Sequence, residues 1–317
     1  MNCLPWTTSR VVWISFLAGL ASCSGDHPTL HVEFSGPNAH RHVADIVAMG
    51  PRPAGSPALD ASRRWLDDKL TTWGWQAQRQ VFQEETPRGK LEFVNLRYRF
   101  DGGNAEGVPL WDRPVSGLLL SHYDTKTVDD YPFVGANDPG SSLGVVLEMA
   151  RLLANKPKLA AKLEIVLFDG EEALVKFDAA DGLYGSRYYA SVLRRWDPPL
   201  RPRWGVLLDL IGHRGVRVSI PQDTPSALAK KLFQASDDLG YKDHFGFHPG
   251  SLIDDHVPLI AAGVPTIDLI DMNYPQWHTR EDTLERIDPL SLNMVGRTAT
   301  LMVERLLAPQ KVESVKP

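Results

Sequence analysis

Residues 163–168 read Leu-Glu-Ile-Val-Leu-Phe, a run apolar but for Glu164 and closed by Asp169-Gly170. Apolarity without alternation predicts a strand buried on both faces, as in a parallel sheet. Residues 117–121, 204–208 and 264–270 have the same character and predict three more such strands. Residues 76–82 and 91–100 also read as strands, the second alternating well, and 217–220 as a short edge strand. Apolar residues at helical spacing predict a helix over 59–73, where Leu59, Leu66, Leu70 and Trp73 share a face. Further helices are predicted over 143–153, capped by Ser141 or Ser142, from 183 to about 195, over 225–239, and over 290–307. Breaker-rich residues 50–57 and residues 249–256 predict loops, and 173–182 an irregular insertion. Strands alternating with helices define an α/β fold, a three-layer sandwich with a central, mostly parallel twisted sheet flanked by helices.

Composition narrows the class. The 317 residues are 43% hydrophobic and 23% charged, a balance that supports one packed core. The formal charge of -5 argues against a nucleic-acid surface, which needs a basic face. No run of eighteen apolar residues marks a membrane span. Arg10 precedes a short apolar segment, 11–20, and Leu20-Ala21-Ser22-Cys23 follows. This resembles the bacterial lipoprotein processing box, with Cys23 as the lipidated residue; an ordinary secretion signal is the alternative. The expected organisation is a lipoprotein signal peptide over 1–22, a tether over 23–38, and a single catalytic domain over 39–310. The expected location is the bacterial cell envelope, lipid-anchored and facing the periplasm or exterior. Cys3 and Cys23 are the two cysteines. With Cys3 in the removed segment, neither an internal disulfide nor a cysteine-based zinc site can form.

Candidate chemistry gathers at strand ends, where open α/β sheets bind ligands. Glu171 and Glu172 follow the Asp-Gly turn at once, so one carboxylate can hold a metal while its neighbour moves protons. The bland alternative is a pair of solvated glutamates opening a helix. His122 and Asp124, two apart, point to one face. Asp138 lies in a glycine-bracketed loop, where an Asx turn is the ordinary role. Asp209, Asp254 and His278 close three further segments. Asp138, Glu172 and His278 make a nitrogen and oxygen donor set of the kind zinc accepts, with one position open for chemistry.

The motifs Asp169-Gly-Glu-Glu-Ala173, Leu183-Tyr-Gly-Ser-Arg187, Asp254-Asp-His256 with Pro258, and Trp277-His-Thr279 resemble those of the glutaminyl cyclases. These are glutaminyl-peptide cyclotransferases, relatives of the zinc aminopeptidases. The resemblance runs from about Gly50 onward. It implies a zinc exopeptidase-like fold and one zinc per chain on Asp138, Glu172 and His278. It also implies Glu171 as general acid/base, Asp209 and Asp254 as a carboxylate network beside it, and Trp277 lining the substrate pocket. The implied substrates are peptides or proteins with N-terminal glutamine, cyclised to pyroglutamate with loss of ammonia by a monomer that meets a membrane only through its lipid. Two departures stand out. Phe177 occupies the place of a pocket tryptophan in the animal enzymes, and the cysteine pair that those enzymes carry is missing.

Two other readings compete. A two-zinc aminopeptidase would use His122, Asp138, Glu172, Asp209 and His278, with Asp138 bridging the metals. All five residues are present, but Pro139 follows Asp138 where such peptidases carry asparagine, and residues 173–184 interrupt the run from the Glu pair into Gly-Ser. A catalytically dead peptide-binding lipoprotein would predict a damaged ligand set, which is not seen.

Overall fold

A computed structural model describes residues 29–103 and 107–308. Cys23 and the whole signal segment lie outside the described residues. The chain order is α1 (Leu30–Glu33), α2 (Gly36–Val47), α3 (Pro57–Thr72), β1 (Trp75–Thr86), β2 (Gly89–Phe100), β3 (Gly117–His122), α4 (Gly140–Ala154), α5 (Pro157–Ala160) and β4 (Leu163–Phe168). There follow α6 (Tyr184–Leu193), β5 (Gly205–Asp209), β6 (Val218–Ile220), α7 (Ser226–Asp238), β7 (Phe245–Phe247), α8 (His256–Ala261), β8 (Thr266–Ile270) and α9 (Pro289–Leu307).

The eight strands form one sheet in the order β1-β2-β4-β3-β5-β8-β6-β7. The four apolar runs form its parallel centre, β4-β3-β5-β8. The margins are mixed. β1 and β2 pair antiparallel, β2 runs antiparallel to β4, and β6 antiparallel to β8. The short strand at 218–220 is therefore internal and not an edge. Its outer neighbour, β7, has the sequence Phe-Gly-Phe, too short to show a period, and exists because β6 offers it a pairing partner.

Alternation through the central strands builds three layers. Leu119, Ile165, Leu167, Val206 and Leu208 face the larger core, shared with α2, α4 and α9. Leu118, Leu120, Val166, Phe168 and Leu207 face the other, shared with Tyr189 and Leu193 of α6 and Leu259 of α8. Each such leucine contributes roughly 1.5–3 kcal/mol by leaving water.

Two further expectations are corrected. The tether assigned to 23–38 is folded from residue 29 onward. Leu30 and Phe34 are buried in the main core, and the Glu304 carboxylate accepts the backbone N–H groups of Thr29, Leu30 and His31. The polar look of the segment hid two apolar anchors four apart. Neither Ser141 nor Ser142 caps α4, whose N-cap is Pro139 with no side-chain cap. Both serines lie in the first turn. Ser141 Oγ donates to the Asn137 carbonyl and accepts Ile211 N–H; Ser142 Oγ donates to the Pro139 carbonyl and accepts from Ser121. They fasten the helix start to the strand ends that carry the site. Among the described residues, no helix is long and apolar enough to cross a membrane.

Candidate active site and metal centre

The site stands where β3, β4, β5 and β8 end together. His122 is in register with Phe168, and Asp209 with Ile270. Chain connections diverge here, because β4 and β5 flank β3 on opposite sides, and such a switch point opens a crevice. Asp169 anchors the end of β4. Its buried carboxylate accepts Val94 N–H at 2.7 Å and Arg63 Nη2 at 2.6 Å. Gly170 then turns the chain at φ 68°, and a Cβ there would lie 2.5 Å from the Phe93 ring. This turn delivers Glu171 and Glu172, whose backbone N–H groups are both accepted by the Asp124 carboxylate. Asp124 thus acts on the Glu pair through the backbone. Its contact with His122 is 3.4 Å.

Asp138, Glu172 and His278 converge. His278 Nε2 lies 3.2 Å from Asp138 Oδ2 and 3.1 Å from Glu172 Oε1, and the three ligand atoms lie within 4.8 Å of one another. Burial lowers the affinity of His278 for a proton, but the facing Glu172 and Asp138 outweigh it and push its pKa to about 9. Two carboxylates that hold a proton on an imidazole so firmly also attract a cation in its place. Burial would raise the Asp138 pKa, yet His122 and His278 hold it well below the usual carboxylate range. An imidazole and two carboxylates at such spacing, open on the pocket side, fit a catalytic zinc.

A second cluster shares Asp138. His122 Nε2 lies 3.2 Å from Asp138 Oδ1 and 3.3 Å from Asp209 Oδ1, all three buried. The five-residue set of the two-zinc reading is therefore also assembled, with Asp138 between its halves.

A pocket of about 320 Å³ covers both, lined by Asp138, Glu171, Glu172, Asp209, Asp254 and His278 on its polar side. Phe177 and Trp277 stand at its mouth, each 41% exposed. Asp138, Glu171, Glu172, Asp209, Asp254, Trp277, His278 and Phe177 thus border one space, with His122 and Asp124 buried behind it. The Trp277 ring lies 4.2 Å from the His278 imidazole. His278 itself adopts a left-handed backbone, φ 52°, as does pocket-lining Leu210 at 53°. Such strain in residues other than glycine collects at functional sites. Asp181 accepts three N–H groups of the 173–182 insertion, from Leu174, Val175 and Lys176, and thereby holds Phe177 over the pocket.

Three carboxyls of the pocket are held in electrostatically unfavourable surroundings. Burial raises the Glu171 pKa well above normal, His122 opposes this, and the negative charges of Glu172, Asp254 and Asp255 add to it. Burial and its neighbours Asp268 and Asp209 do the same to Asp254. Burial also raises Asp209, against the opposing pull of His122.

Three contributors escaped the sequence reading. Asp282 accepts the N–H groups of Asn137 and Asp138 and so sets the Asp138 loop; burial and the charge of Asp138 push it up to about 7. Lys126 Nζ lies 3.2 Å from Glu172 Oε2. Asp268 sits fully buried within β8. Only Asp268 left a signal, as a lone charge inside an apolar strand.

A family model described as Peptidase family M28 matches residues 111–303. The glutaminyl-peptide cyclotransferase of Gloydius blomhoffii is 29% identical over 292 residues, covering 80% of this chain and 76% of that protein. The crystal structure of an Acidobacteriales bacterium glutaminyl cyclase superposes with a TM-score of 0.77 at 28% identity, covering 86% of this chain and 94% of the other. A Zn-dependent exopeptidase from Parabacteroides distasonis superposes with a TM-score of 0.74 at 26% identity, covering 87% and 99%.

Proposed function

We propose, on the premise that this chain belongs to peptidase family M28, that it is a glutaminyl-peptide cyclotransferase, converting N-terminal glutamine of peptides or proteins to pyroglutamate with release of ammonia. The observation that carries this reading is the division within the Glu pair. Glu172 turns to His278 and the ligand set, while Glu171 faces the buried carboxyls Asp254 and Asp255.

Asp138, Glu172 and His278 would hold one zinc, which supplies Lewis-acid polarisation of the side-chain amide carbonyl. Glu171, made more basic by its surroundings, takes a proton from the α-amine as the nitrogen closes on the side-chain carbonyl carbon. It returns that proton to the amide nitrogen as the carbon–nitrogen bond breaks and ammonia departs. Asp254 and Asp209 stabilise the leaving nitrogen and share protons between them. Trp277 and Phe177 wall the glutamine stem, keeping the reacting conformer in place, and ring closure gains much from such restraint.

The shared position of Asp138 keeps a two-zinc peptidase as the second reading. The two differ in nucleophile, since a peptidase needs water and a cyclotransferase uses the substrate's own amine. Gln-Xaa and Leu-Xaa peptides incubated with the protein separate them by mass spectrometry. The expected result is loss of ammonia from the first, its peptide bond intact, and no change in the second. Free leucine or glutamine released at a comparable rate would overturn the assignment, and two tightly bound zincs per chain would favour the peptidase.

The apolar stretch 11–20 and Leu20-Ala21-Ser22-Cys23 support a lipid anchor on Cys23 that keeps the enzyme at the cell envelope. More than one acyl chain is needed for stable anchoring. Cys23→Ser is expected to move the protein from the membrane fraction to the soluble one; unchanged fractionation speaks against the anchor.

A further inference from the structure

Behind Asp254 lies a chain of buried polar groups that leads away from the pocket. Asp254 faces Asp268 as a carboxyl pair. Two acceptors face each other there, so a hydrogen bond exists between them only when one carries a proton. Asp254 Oδ2, both oxygens of Asp268 and both ring nitrogens of His256 are buried without a hydrogen-bond partner in the protein. Groups so placed are costly unless they share protons. His256 Nδ1 lies 3.4 Å from Asp268 Oδ2, and His256 Nε2 lies 3.6 Å from Asp223 Oδ1. The Asp223 side chain is 56% exposed, whereas the His256 side chain is 1% exposed. Contacts of this length commonly tighten when substrate binds. The charged groups facing His256 are Asp254 and Asp255 from the preceding loop, Asp223 from the loop after β6, and Asp268 from β8.

We propose that Asp268, His256 and Asp223 form a proton path that joins the carboxyls around Glu171 to solvent. The inference rests on the cyclotransferase reading. The need follows from proton balance. A peptide α-amine has a pKa near 7.7–8.0, so at neutral pH most substrate arrives as –NH3+. Cyclisation forms one nitrogen–carbon bond and breaks one carbon–nitrogen bond. In that exchange the attacking nitrogen sheds two protons, while the departing –NH2 needs one to leave as ammonia. Glu171 shuttles that one. The other must depart before attack, because an ammonium has no lone pair. It passes from Glu171 to Asp254, across to Asp268, on to His256 Nδ1, and off His256 Nε2 to Asp223 and water, where released ammonia takes it up. The imidazole is suited to this, accepting a proton on one nitrogen while releasing one from the other.

The experiment compares pH profiles of glutamine-peptide cyclisation for the zinc-loaded enzyme, His256→Gln and Asp223→Asn, with zinc content measured for each. At pH 6.5, where only about one substrate amine in twenty is free, His256→Gln is expected to lower kcat about tenfold or more, with KM and zinc unchanged. At pH 9, where the amine arrives already free, the loss is expected to shrink to about twofold. Asp223→Asn, on the surface and safe for folding, is expected to show the same pH-dependent loss in smaller measure, about threefold at pH 6.5. A structural role for His256 would lower activity equally at both pH values. A mutant to wild-type ratio that stays constant from pH 6.5 to 9, or an Asp223→Asn variant equal to wild type throughout, overturns the path. Wild-type protein that releases no ammonia from glutamine peptides would instead refute the cyclotransferase reading.

Discussion

Glu171→Gln is expected to keep its zinc and to lose turnover by about 10³-fold, within the 10²–10⁴ that a positioned acid/base contributes. The substitution keeps the size of the side chain and removes only its capacity to carry a proton. The metal side is untouched, because Glu172, and not Glu171, lies beside His278. Asp254 and Asp209 do not replace it, since both are raised carboxyls that compete for the same protons. KM should change little, as substrate binding and proton transfer are separate losses. Elemental analysis with steady-state kinetics checks both halves. A zinc loss in Glu171→Gln equal to that in a ligand variant would undo the division of roles within the pair.

His278→Ala is expected to lose zinc and turnover together, with activity falling below about 1% of wild type because three protein ligands are the minimum of a catalytic zinc site. Removing the imidazole leaves Asp138 and Glu172 facing one another without the group that separates their charges. Chelation of the wild-type enzyme should abolish activity likewise, and added zinc should restore it. A second readout does not depend on turnover. A ligand at a hundred times its Kd stabilises the folded state by about 2.7 kcal/mol, so zinc should raise the melting temperature of the wild type and not of His278→Ala. A variant that still gains thermal stability from zinc would place the metal elsewhere, with His122, Asp138 and Asp209 as the first alternative.

The carboxyl ends of the central strands were readable before the fold was known, because a strand buried on both faces is mostly apolar, Glu164 and Asp268 being single interruptions, and a cluster of polar residues therefore marks its end. His122 and Asp209, together with the Glu pair just past the turn that closes β4, stand out for that reason. Trp277-His278 and Asp254-Asp255-His256 were legible as motifs through their resemblance to glutaminyl cyclases. The residues that hold the site together were not. Asp282 fixes the Asp138 loop across 144 residues of chain, and nothing in its local sequence separates it from an ordinary surface acid. Lys126, beside Glu172, reads as one more polar loop residue.

The four central strands, the long hairpin strands β1 and β2, and helices α3, α4, α6, α7 and α9 were legible in local pattern, together with the chemistry available to them. Local apolar periodicity specifies strand and helix, and each side chain carries its donors and acceptors wherever it is placed. Which groups meet depends on the fold. It brought Asp138, Glu172 and His278 within 4.8 Å and made Asp138 common to two clusters. It placed β6 inside the sheet, docked Leu30 and Phe34 in the core, and lined up Asp254, Asp268, His256 and Asp223 from pocket to surface. The physical reason is that these meetings are pairings between distant segments, set by strand register and by the burial of whole faces. Burial then raised the proton affinity of acids that look alike in the sequence.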